Sequence, residues 1–273
     1  SKNYLEYIYQ LLIFCLTMTP IDRLNIMIIS FKNISKSYLL RTVLENISFD
    51  IDRGGFHVLL GENGAGKSTI LKIIMGLEKF ERGEGYLLGE KFQSYNRNNR
   101  HEIGLVSEFV EFDGPFSINN FIKFYSQYFP KWNQELFDQI VNDKKMDLTK
   151  KFNKYSRGQK MQIVLATELA KSPSILLLDE ITSILDLNSR KYFLNKFSIF
   201  CQEGGTIILT TNIISEVQAY ATDLIIIKNG HIPLNEKINN VNKHFKIIKI
   251  DDDQPIIQSE SCIWLRKVDI GMS

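Results

Sequence analysis

Gly61-Glu62-Asn63-Gly64-Ala65-Gly66-Lys67-Ser68-Thr69 fits the pattern G-x-x-x-x-G-K-[ST] in full. The apolar run Phe56-His57-Val58-Leu59-Leu60 leads into it and reads as a buried strand. Thr69-Ile70-Leu71-Lys72-Ile73-Ile74-Met75 leaves it with helical character. Strand, glycine-rich turn and helix in that order are the context a phosphate-binding loop requires. Glycines let the backbone wrap closely enough for successive N–H groups to face anionic oxygens, and the helix start adds partial positive charge. The whole loop is therefore expected to bind a nucleotide: Gly61, Asn63, Gly64, Ala65, Gly66, Lys67, Ser68 and Thr69. Lys67 is expected to reach the β- and γ-phosphates, and Ser68 to offer its hydroxyl to Mg²⁺.

Downstream, Ile175-Leu176-Leu177-Leu178-Asp179-Glu180 delivers two carboxylates at the end of an apolar strand. Ligands of open α/β sheets collect at the carboxyl ends of the strands. Asp179 is expected to hold Mg²⁺, directly or through water, and Glu180 to act as general base on the attacking water. Thr206-Ile207-Ile208-Leu209-Thr210 and Leu224-Ile225-Ile226-Ile227 read as further buried strands, the second stopped by Asn229-Gly230. Residues 28–34 and 44–51 alternate as strands do. Strands alternating with helices imply an α/β core, a parallel sheet covered on both faces. Residues 96–154 differ in texture: they are rich in aromatics, Lys and Asn, with helical stretches at 118–128 and 134–142. They read as a mostly helical insertion, followed by a helix over 161–170.

Motif order then points to a family. Tyr155-Ser156-Arg157-Gly158-Gln159 resembles the signature peptide of ATP-binding-cassette (ABC) ATPases, and Asp179-Glu180-Ile181-Thr182-Ser183-Ile184-Leu185-Asp186 resembles their carboxylate strand and D-loop. The resemblance runs over about residues 27–234, and motifs in a continuous order are more specific than any one of them. It implies a phosphate-loop NTPase with a RecA-like core, an antiparallel β part and a helical subdomain at about 96–160. Residues 1–26 are then an N-terminal extension, read as helical, and 235–273 a small C-terminal appendage with β-like runs.

The resemblance also implies roles. Tyr38 stacks on adenine. Ser156, Gly158 and Gln159 of one cassette meet the γ-phosphate held by a second cassette packed head to tail, and Asp186 helps hold that interface. The resemblance implies an ATPase that drives an integral membrane transporter subunit from the cytoplasmic face of the cell membrane. The stretch near Phe129-Pro130-Lys131-Trp132-Asn133 resembles cassettes of drug, peptide and bacteriocin exporters. Aromatics from Phe109 to Phe129, Phe112, Phe116, Phe121, Phe124, Tyr125 and Tyr128 among them, fall where the family builds a groove for the membrane subunit.

Two positions depart from the family. Glu108 stands where a glutamine is usual, and its carboxylate can still ligate Mg²⁺. Asn212 stands where a histidine contacts the γ-phosphate; asparagine can donate a hydrogen bond but carries no charge. Slow hydrolysis, or pairing with a more competent cassette, is the expectation. A catalytically weak regulatory cassette and a non-transport ABC protein are the alternatives. Against the latter, the interval from Lys67 to Ser156 has no sustained heptads.

Composition narrows the field further. The 273 residues carry a formal net charge of +2 with acids and bases mixed, which makes no case for nucleic acid. Three scattered cysteines (Cys15, Cys201 and Cys262) and four scattered histidines give neither a disulfide framework nor metal-ligand spacing. The apolar stretch 7–18 is shorter than the ~20 residues that span a bilayer. It reads as a packed or membrane-surface helix, or as sequence upstream of a start at Met27.

Overall fold

A computed structural model describes residues 27–39, 41–92, 97–107 and 116–244, the side chains of 97–99 and 242–244 excepted. The readings made for residues 1–26, for Glu108, Phe109 and Phe112, and for the β-like runs beyond residue 244 lie outside the described residues.

The first strands are β1 (Met27–Tyr38), β2 (Arg41–Asp52) and β3 (Phe56–Leu60). Helix α1 (Lys67–Ile74) precedes β4 (Arg82–Leu87), β5 (Glu90–Lys91) and β6 (Ile103–Ser107). Three helices follow: α2 (Ile118–Tyr125), α3 (Gln134–Asp143) and α4 (Arg157–Ala170). The chain continues as β7 (Ile175–Asp179), α5 (Leu187–Gln202), β8 (Thr206–Thr211), β9 (Asp223–Lys228), β10 (His231–Lys237) and α6 (Ile238–His244).

Two sheets result. One is antiparallel, ordered β2-β1-β4-β5. The other is ordered β10-β9-β3-β8-β7-β6, parallel except for β10 at its edge. Strand β7 shows why this sheet must be covered on both faces. Leu176 and Leu178 point into one core with α4 and α5, whereas Ile175 and Leu177 point into another with α1 and the antiparallel sheet. Successive strand residues face opposite ways, so an unbroken apolar run buries both sides. The second face is thus covered by one helix and a sheet.

Strand β6 lies inside the stretch expected to be helical. Five residues interrupted by Gly104 carry too little pattern to distinguish a strand from a turn. It forms the edge of the main sheet, and the Leu105 N–H donates to the buried Glu168 carboxylate at 3.0 Å. Glu168 is paired with Lys171 at 2.6 Å, which leaves no uncompensated buried charge at that edge. Helix α4 begins earlier than the expected 161, at Arg157, because Ser156 and Gln159 form a capping box. Ser117 and Asn133 cap α2 and α3 by a single side-chain bond each, accepting from Asn120 N and Leu136 N. Strand β4 gave no usable pattern, since Arg82-Gly83-Glu84-Gly85 holds no apolar side chain. Strand β10 runs past residue 234, to Lys237.

Candidate functional site

All five residues of β3 are buried, so the strand end is a fixed platform for the loop that follows. At Gly61 a Cβ would come within 2.5 Å of the Ile227 carbonyl oxygen, which leaves room for glycine alone. Gly66 has φ 114°, and a Cβ there would meet Leu44 Cδ2 at 2.6 Å and Val43 O at 3.2 Å. Only glycine takes that backbone shape without strain. Gly66 is also the N-cap of α1 and has no side chain to bond the first turn, so the helix start stays available to a ligand.

Lys67 is 3% exposed. Its ammonium donates to Gly61 O at 2.8 Å and Glu62 O at 3.1 Å, and pairs with Glu180 Oε1 at 3.0 Å. Three acceptors match the three N–H bonds of an ammonium group. Asp179 sits opposite Thr210 in the β7–β8 ladder. Its Oδ1 accepts from Thr210 Oγ1 at 2.5 Å and from Ser68 Oγ at 3.4 Å. Glu180 follows in a left-handed conformation, φ 52° and ψ 32°, held by its N–H donating to Thr210 O and Oγ1. For a residue with a Cβ that shape costs about 1–2 kcal/mol. The turn lifts the Glu180 carboxylate off the strand line to meet Lys67.

A pocket of about 440 Å³ collects most of the expected residues: Tyr38, Asn63, Gly64, Gly66, Lys67, Ser68, Thr69, Asp179 and Glu180. It is of a size that holds a nucleotide-like ligand. Gly61 and Ala65 support the loop from behind, Ala65 being buried. Tyr38 lines the pocket with the Lys36 ammonium 4.8 Å from its ring centroid. Arg41 and Val43 line it too, and neither was expected. They sit on β2, and no local pattern says that the antiparallel sheet folds back over the loop. In sequence Thr210 reads only as the end of a strand; its register with Asp179 is set by the fold and leaves no local signal.

Ser156, Gly158 and Gln159 lie elsewhere. They line a second cleft of about 420 Å³, which shares no residue with the first and which includes Asp186. Ser156 Oγ accepts from Gln159 N at 3.3 Å, and Ser156 N donates to Gln159 Oε1 at 3.0 Å. Asp186 caps α5, accepting from Ser189 N at 2.9 Å and Ser189 Oγ at 2.7 Å. These bonds hold the Asp186 carboxyl below its usual range, so the cap weakens only as pH falls through that depressed value. Gln162 Nε2 donates to Ser189 Oγ at 3.0 Å and thereby ties α4 to α5. Within one chain, the expected site residues thus form two separate groups.

Asn212 is exposed, directly after β8, and lines neither pocket. Glu108 lies outside the described residues, but β6 ends at Ser107 opposite Asp179, so the chain leaves that strand beside the carboxylate. Phe116, Phe124 and Tyr128 are 60% or more exposed, whereas Phe121 stacks on Tyr125 and Phe129 packs against Tyr125 at a tilt.

A family profile described as ABC transporter matches residues 44–183, which span the loop, the capped helix α4 and the carboxylate strand. The chain belongs to the ABC transporter family. Among curated members of that family, Nod factor export ATP-binding protein I of Burkholderia orbicola is 32% identical over 209 residues, covering 74% of this chain and 68% of that protein. The protein of the same name from Rhizobium johnstonii is 31% identical over 224 residues, covering 78% and 70%. Solved ABC structures share the fold. An ATP-binding subunit of an ABC transporter superposes with a TM-score of 0.72 at 21% identity, covering 80% of this chain and 93% of that one. A Clostridium perfringens protein, cbiO1, part of the ABC transporter complex cbiONQ, gives 0.67 at 25% identity, covering 80% and 92%. A bacterial ABC transporter cassette solved as a dimer gives 0.68 at 23%, covering 77% and 98%. The chain is therefore an ABC ATP-binding subunit with a phosphate-loop NTPase fold.

Proposed function

We propose that the chain binds and hydrolyses ATP to drive export through a separate integral membrane subunit. The carrying observation is the convergence of Lys67, Ser68, Asp179 and Glu180 on one pocket. Ser68 and Asp179 offer a hydroxyl and a carboxylate, hard oxygen donors that suit Mg²⁺, an ion that keeps waters and phosphate oxygens as its other ligands. When bound, the ion neutralises charge on the phosphates. Glu108 joins it in this reading.

The chain's own residues account for the rest. Entering phosphates compete with Glu180 for the Lys67 ammonium. Once Lys67 turns to the phosphates, Glu180 is left free to polarise a water. Tyr38 stacks on adenine, and Asn212 donates to the γ-phosphate. Ser156, Gly158 and Gln159 line a cleft separate from the cradle of their own chain, and in this reading they serve a second cassette packed head to tail, with Asp186 at the joint. That arrangement is supported by the separateness of the two clefts and by the dimeric form of one structural neighbour.

Export is supported by the relatives' names, which concern Nod factor export. A peptide, drug or bacteriocin is the cargo class proposed from the sequence resemblance. No helix among the described residues is long and apolar enough to cross a membrane, which fits a peripheral subunit at the cytoplasmic face. Phe116, Phe124 and Tyr128 supply exposed apolar surface for the membrane subunit. Purification from native membranes is expected to retain a multi-spanning protein, and Phe124→Asp with Tyr128→Asp is expected to release it. Retention unchanged by the double variant removes this surface from the reading.

A second reading rests on Asn212, a neutral donor at a point where charge develops. Losing one such group can cost ~100-fold in rate. On this reading the chain hydrolyses ATP slowly, and Asn212→His is expected to raise kcat by about tenfold or more with little change in nucleotide affinity. Steady-state turnover that is already fast, and no faster in the variant, removes it.

A further inference from the structure

The cleft at the start of α4 is unlike the cradle in charge. Its lining holds Lys144, Lys145, Lys150 and Lys154 against Asp147 and Asp186. Four lysines against two aspartates leave two formal positive charges. The cradle's lining holds Arg41 and Lys67 against Asp179 and Glu180, which balance. Two of the cleft lysines have a local explanation. Lys144 is the C-cap of α3 and Lys145 follows it, where a cation complements the helix dipole. Lys150 has no helix end to serve, and Lys154 ends only a three-residue helical turn, too short to carry much of a dipole. Lys150 sits 3.3 Å from Asp147 in an exposed pair of little energetic value, and Lys154 closes the short helical turn that delivers Ser156.

We propose that this lysine-rimmed cleft is the electrostatic counter-surface for the nucleotide-loaded cradle of a second copy of the chain. The described lining of an empty cradle is balanced, and Glu108, added in the reading above, leaves it about one charge negative. Mg-ATP adds about two further negative charges, opposite in sign to those of the cleft. Closure of the dimer is then favoured by charge far more strongly once nucleotide is in place. The lysines also bring positive charge toward the γ-phosphate from across the interface, where Asn212 brings none from its own side. This inference rests on the head-to-tail reading above and specifies what makes that interface sense nucleotide.

The test uses the full chain with its Glu180 charge in place, and Mg-ATP is supplied as a non-hydrolysable analogue so that the nucleotide-bound state persists. Dimerisation with and without Mg-ATP is followed by analytical ultracentrifugation across ionic strength. Binding of a fluorescent ATP analogue at dilute protein reports the cradle of the single chain. Lys150→Glu with Lys154→Glu, which reverses the sign of the cleft, is expected to weaken the Mg-ATP-dependent dimer about tenfold or more at low salt. Analogue binding to the single chain is expected to stay unchanged. The parent dimer is expected to weaken as salt rises and the variant to respond less, while Lys150→Arg with Lys154→Arg is expected to match the parent. A charge-reversed variant that dimerises as the parent does, at every salt, overturns the counter-surface and leaves the head-to-tail reading standing. A parent that never dimerises with Mg-ATP overturns the head-to-tail reading and the inference with it.

Discussion

Lys67→Ala is expected to lower ATP turnover by about 10²–10⁴-fold, from the loss of two charge-assisted hydrogen bonds to phosphate at about 1.5–3 kcal/mol each. The resting geometry sharpens the expectation. The Lys67 ammonium is nearly buried and spends all three hydrogens on Gly61 O, Glu62 O and Glu180 Oε1. Its removal therefore costs the nucleotide its main cation and leaves the Glu180 carboxylate without its partner. Lys67→Arg is expected to fail nearly as badly, because a planar guanidinium cannot meet three acceptors arranged for a compact ammonium. Isothermal titration with Mg-ATP, beside an unchanged circular dichroism spectrum, checks the result. A variant that binds Mg-ATP as tightly as the parent removes the phosphate-loop assignment.

Glu180→Gln is the second large effect, and it divides differently between the kinetic constants. Loss of a general base lowers kcat by about 10²–10⁴-fold. Nucleotide affinity is expected to hold or rise, because Lys67 no longer has a carboxylate competing with phosphate for its hydrogens. Turnover and nucleotide retention measured on one preparation separate the two effects. Thr210→Val is expected to do less, since it removes a bond that orients Asp179 and one that holds the Glu180 turn without removing either carboxylate. A glutamine variant that hydrolyses ATP at the parent rate rules Glu180 out as the base.

The central sheet was legible because its strands are buried on both faces, and runs such as Ile175-Leu176-Leu177-Leu178 have one physical solution. The cradle was legible because its chemistry is local: nine consecutive residues supply the glycines, the ammonium and the hydroxyl. Features that depend on distant contact were not. Strand β6 is short and glycine-broken, and its edge is covered by Glu168, 63 residues away. The roles of Arg41 and Val43 follow from a sheet folding over the loop. Thr210 matters through register with Asp179, and register is set by the fold. Asp186 was placed at a joint between subunits; within the chain it has the further task of capping α5.

The two clefts described above lie on different parts of one chain and share no residue. A head-to-tail pair then contains two composite centres, each assembled from halves of different parentage. Damage to one half is heritable separately from damage to the other. A chain disabled at Lys67 and a chain disabled at Ser156, each silent as a homodimer, would on mixing restore one whole centre in every mixed pair. Genetic complementation between two dead alleles is thus the expected outcome of the proposed head-to-tail pairing.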